Sequence, residues 1–61
     1  MIEFLANSII NKTKMGDITF DFTQATEFIR NKYSNSKEEA EILINDLITI
    51  LINKGHPELI S

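Results

Sequence analysis

The sequence predicts a mainly helical, small α+β fold in the order helix, strand, helix, helix, with the short strand pairing across a homodimer. Three observations predict it. The stretch 37–54 carries apolar residues at helical spacing around more than half of a helix circumference. The stretch "GDITFDF", 16–22, alternates apolar and polar residues as a half-buried strand does. A chain of 61 residues forms one small domain, 1–61, near the lower limit of independent folding, too small to satisfy both features alone.

Each element has its own signals. In "IEFLANSIINKTK", 2–14, Ile2, Leu5, Ala6 and Ile9 recur at helical spacing, Phe4 and Ile10 lie toward the flanks, and polar residues fall opposite. The helix should end near Thr13, with Gly16 as the break. In 17–22, Ile18, Phe20 and Phe22 alternate with Asp17, Thr19 and Asp21, and Ile, Thr and Phe favour strands over helices. A competing reading runs a helix from Asp17 onward, with Ile18, Phe22, Ala25, Ile29 and Tyr33 on one face.

In "TQATEFIRNKY", 23–33, a second helix would carry a stripe of Ala25, Phe28 and Ile29, extended by Lys32 or Tyr33. Asp21 with Gln24 makes a capping box, and Thr23 is the other available cap. "SNS" at 34–36 breaks the chain, because these side chains compete for the backbone. The third helix opens on a second capping box, Ser36 with Glu39, and Glu38, Glu39 and Glu41 complement its positive end. It should run to Asn53 or Lys54, with Gly55 supplying a left-handed residue and Pro57 barring resumption. The tail folds back through Leu59 and Ile60.

Around the third helix, at about 100° per residue from Ala40, Leu43, Ile44, Leu47, Ile48, Ile50, Leu51 and Ile52 span an arc about 200° wide. A surface helix packed on one neighbour needs a stripe only somewhat over about 100° wide. Two short helices and a short strand should cover one side, leaving the other side and the strand edge to a second chain. The expected dimer interface is therefore Ile18, Phe20, Phe22, Leu43, Leu47, Ile50 and Leu51. Size argues the same way. At 7.0 kDa folding buries on the order of 6,000 Å², about 90 kcal/mol of apolar transfer if roughly 60% is apolar. Ordering the chain at about 1.5 kcal/mol per residue offsets nearly all of it. With no cysteine and a single histidine, disulfides and thiolate zinc sites are excluded, and association is the remedy left.

No catalytic, metal or nucleotide motif is present, so an enzyme is not expected and neither is a cofactor. His56 reads as a helix-end residue starting the turn at Pro57. The glutamates at 38, 39 and 41 lack the Asp/Gly loop of a calcium site. Gly16 and Gly55 stand too far apart for a phosphate loop. The start lacks the basic region and apolar run of a signal peptide. The apolar-rich stretch 42–52 is too short to span a bilayer, so a cytoplasmic protein with no membrane partner is expected.

The formal charge is −3, from six Lys and Arg against nine Asp and Glu, which does not suit a generic polyanion binder. A strand followed by two helices resembles, in layout over 16–54, the ribbon-helix-helix repressors, and implies as the alternative function a DNA-binding transcriptional regulator whose paired ribbon enters the major groove. Here that ribbon would present Asp17, Thr19 and Asp21. The third helix would offer Glu38, Glu39 and Glu41 to phosphate, and Tyr33-Ser34-Asn35-Ser36 lacks the usual turn glycine. Nucleic acid is accordingly not the expected partner. The expected function is a non-catalytic protein-binding module, regulatory, inhibitory or adaptor in role, acting as a homodimer on a second protein of unknown identity. Its expected partner-binding residues are Ile42, stranded on the polar side of the third helix, and a basic cluster of Lys12, Lys14, Arg30 and Lys32.

Overall fold

The computed structural model describes residues 2–17 and 19–60. Three helices follow one another, α1 (Ile2–Lys14), α2 (Phe22–Lys32) and α3 (Lys37–Asn53), and a single 3₁₀ turn, Pro57–Leu59, follows α3. Both α1 and α2 pack on α3, α1 the more extensively, while they touch each other less. No helix among the described residues is long and apolar enough to cross a membrane.

Helix ends follow local chemistry. At the end of α1 the Asp17 N–H donates to the Lys12 carbonyl (2.8 Å) and the Gly16 N–H to that of Thr13 (3.0 Å). The end of α3 repeats the arrangement, His56 to Leu51 (2.9 Å) and Gly55 to Ile52 (3.0 Å). Both are Schellman motifs, which need a left-handed residue after the helix. Gly16 and Gly55 supply it, at φ 74° and 84°. Asp21 caps α2, its carboxylate accepting from the Gln24 N–H at 2.9 Å. Ser36 occupies the corresponding place before α3, but its side chain makes no capping hydrogen bond, contrary to the expected second box.

The core consists of Leu5, Ala6, Ile9 and Ile10 from α1, Phe22, Ala25 and Ile29 from α2, and Ala40, Ile44, Leu47 and Leu51 from α3. Small residues bring the helices close and branched aliphatics fill the space between; Ala6, Ala25, Ile29, Leu47 and Leu51 are fully shielded from water. Ile2, Phe20, Tyr33, Leu43, Ile48, Ile50, Leu59 and Ile60 form a half-buried margin around it. The tail thus folds back through Leu59 and Ile60, as the sequence implies.

The expected strand does not form. Among the described residues there is no strand: Thr19 and Phe20 lie in a bend, and Phe22 is already the first residue of α2. Ile18 lies outside the described residues. Asp17 supplies one physical reason, since it accepts both the Thr19 backbone N–H (2.9 Å) and the Thr19 hydroxyl (2.6 Å) and so curls the chain. Asp21 supplies the other, because its cap commits the backbone to helix from Phe22. From within the same chain, α1, α2 and the 3₁₀ turn approach the apolar arc of α3, while Ile52, at one edge of that arc, stays exposed. Of the residues expected at a dimer interface, Phe22, Leu47 and Leu51 are instead buried in the core of the single chain, while Phe20, Leu43 and Ile50 sit on the half-buried margin.

Candidate functional site

Once the core is assembled, Phe4, Met15, Phe28, Ile42 and Ile52 remain as exposed large apolar residues. Two of them, with Phe20, line a groove of about 480 Å³ between α1, the 15–21 loop and α2. Its walls are Phe4, Leu5, Ser8 and Lys12 from α1, Thr19 and Phe20 from the loop, and Phe28 from α2. Phe4, Ser8 and Lys12 recur every fourth residue and so form one stripe, about 12 Å long at 1.5 Å per residue. Phe4 is 70% exposed and Phe28 47%. Of the four phenylalanines in the chain, three line this groove and only Phe22 belongs to the core.

The loop wall is tied in place. Lys12 Nζ donates to Asp17 Oδ2 at 3.2 Å, while Thr19 holds the other carboxylate oxygen. The Thr19 hydroxyl, then its backbone N–H and the Lys12 ammonium hold the Asp17 carboxyl down at about 2. The tie joins the last turn of α1 to the segment that carries Phe20. Volume, concavity and aromatic walls with a few polar groups are the usual traits of a binding cleft.

The four expected basic residues do not share one recess. Lys12 lines the aromatic groove, whereas Arg30 lines a second recess of about 390 Å³ with Tyr33, Ser34, Lys37, Ala40 and Glu41. Arg30 Nη2 lies 3.6 Å from Glu41 Oε2, an exposed α2–α3 ion pair of small energetic weight. Lys14 and Lys32 are exposed in the last turns of α1 and α2. Ile42 is 60% exposed, on the outer face of α3 as the sequence implies, and Ile52 is exposed as well. His56 Nδ1 lies 3.1 Å from Glu58 Oε2 at the 3₁₀ turn. The Glu58 backbone N–H, then the His56 ring, lower the Glu58 carboxyl below its ordinary value. Among the described residues no three His, Asp or Glu side chains converge as a metal site would require.

The groove residues Phe4, Leu5, Ser8, Thr19 and Phe28 do not stand out as a site in the sequence. Phe28 reads there as part of the buried stripe of α2; the structure turns it outward, because Phe22, Ala25, Thr26 and Ile29 fill the inner face. A signal was present at Phe4. At about 100° per residue it lies about 170° from the centre of the arc formed by Leu5, Ala6, Ile9 and Ile10, too far for a flanking core residue. No protein family, curated protein or solved structure matches this chain.

Proposed function

We propose that the protein is a small, non-catalytic protein-binding module, regulatory or adaptor in role, that engages its partner through the Phe4–Phe20–Phe28 groove. The observation that carries this reading is the placement of the aromatic residues. Two exposed rings, Phe4 and Phe28, and the half-buried Phe20 surround one concavity, while Phe22 is the one phenylalanine of an otherwise aliphatic core. Exposed aromatic side chains around a cleft are costly to keep in water, and they are the residue type that anchors protein interfaces. The DNA-binding alternative rests on a paired ribbon, and among the described residues Thr19 and Phe20 bend and Phe22 enters α2 instead of forming one.

Self-association has support of a different kind. Ile42, on the outer face of α3, and Ile52, at the edge of its apolar arc, are exposed apolar residues that a homodimer or a second contact with the partner would use. Sedimentation at tens of micromolar, with wild type beside Ile42→Lys, reads this part separately.

The test of the groove is affinity capture from the native host, with wild type beside a Phe4→Ser, Phe28→Ser double variant. A protein retained in stoichiometric amount by wild type and lost by the variant supports the proposal. Identical proteins on both, with the variant folded by circular dichroism, overturn it.

A further inference from the structure

The groove has a direction. At one end stands Phe4, the most exposed of its rings; two turns along the same stripe stands Lys12. Lys12 is the only charged residue among the seven that line the groove, in a chain whose net charge is −3. Its side chain is 42% exposed. An ammonium carries three N–H donors, and Asp17 takes one of them. Ser8 and Thr19 add hydroxyls along the walls, and no carboxylate lines them.

We infer, on the reading that this groove binds protein, that its occupant is a short amphipathic helix of another protein. It carries large apolar side chains at i and i+4 and a single Asp or Glu about one turn beyond them. Two turns of helix match the run from Phe4 to Lys12, and a stripe of apolar anchors is how a helix lies in such a groove. The carboxylate meets Lys12 at the polar end. One acid is called for and not an acidic tract, because the chain's own negative charge repels a highly acidic segment at longer range.

A display library of 12-residue helical peptides, randomised at the anchor positions and one turn beyond, tests this against the whole protein. The expected peptides carry two apolar anchors followed by Asp or Glu. Fluorescence anisotropy with the best of them should show more than tenfold weaker binding to Phe28→Ser. Lys12→Gln, which also loosens the tie to Asp17, should weaken the acid-bearing peptide about two- to fivefold more than it weakens the Gln counterpart. Circular dichroism checks that each variant is folded. Anchored peptides that depend on Phe28 but show no preference for an acid overturn the charged contact and leave the groove as a binding site. Peptides bound equally well by Phe28→Ser, or an empty selection, overturn both readings. A dimer of the protein alone, abolished by Phe28→Ser, overturns the foreign occupant, since the groove would then be filled by a second copy.

Discussion

Phe22 and Phe4 make a matched test of where the hydrophobic free energy of this fold resides. Both are phenylalanines in the first turn of a helix or just inside it, yet Phe22 is 8% exposed and Phe4 70%. Phe22→Ala removes a ring packed among core residues, for which a loss of about 3–5 kcal/mol is usual. Alanine's better helix propensity returns roughly 0.5 kcal/mol, so the net cost is about 2.5–4.5 kcal/mol. A domain of this size has about 3–9 kcal/mol of stability in total, at 0.05–0.15 kcal/mol per residue. The variant should thus be unfolded or close to it, with a melting temperature lowered by about 10 °C or more at roughly 4–8 °C per kcal/mol. Phe4→Ala should change stability by no more than about 0.5 kcal/mol, as surface sites do. Thermal and urea unfolding followed by circular dichroism at two protein concentrations measure both. Equal losses for the two variants, or a Phe22→Ala protein as stable as wild type, would refute the entry of Phe22 into the core at the start of α2.

Three further outcomes follow from local contacts. Asp21→Ala should cost about 1 kcal/mol, because the Gln24 N–H loses its cap; an unchanged urea midpoint would contradict it. Gly55→Ala should cost about 1 kcal/mol although no atom stands in the way of its Cβ, since alanine is strained at φ 84°; a stabilised variant would show that α3 ends differently. The Asp17 carboxyl is lowered from 3.8 to about 2, so what its tie contributes is fully present above about pH 4 and is lost as the pH falls through about 2. The Thr19 amide signal in an NMR titration should therefore report a midpoint near 2, and a midpoint near 3.8 would mean that the tie does not hold in solution.

The helices were legible in the sequence because their signals are redundant. Periodicity, the Asp21 cap and the Gly16 and Gly55 ends agree, and the observed bounds differ from those readings by one residue or so. The segment 17–22 was misread because its signal is short. Over six residues, a loop that must send Phe20 to the edge of the core and Phe22 into it produces the same alternation as a strand. The rule that fails here is strand propensity, overridden by two aspartates that hydrogen-bond their own backbone. The apolar arc of α3 was legible, but how much of it α1, α2 and the tail cover was not, because how far they reach around a helix is set by packing angles that no single stretch encodes. Ile42 was legible as exposed because it interrupts a polar face. The groove was not, since it exists only where Phe4, Phe20 and Phe28, far apart in the chain, are brought together.

Leu5 alone belongs both to the core and to the groove wall. Phe20 packs against the core from its margin, while the other five wall positions sit outside it, so exchanging those five costs the fold little and exchanging Leu5 disturbs both. Surface and scaffold are nearly separate alphabets in this chain. A lineage carrying it can rewrite Phe4, Ser8, Lys12, Thr19 and Phe28 to suit a new partner without first acquiring compensating changes inside. Drift at Leu5 would be held back by selection for folding alone. Among diverged copies of this protein, the groove's outer wall should therefore be where sequences part company first, with its floor the last to change.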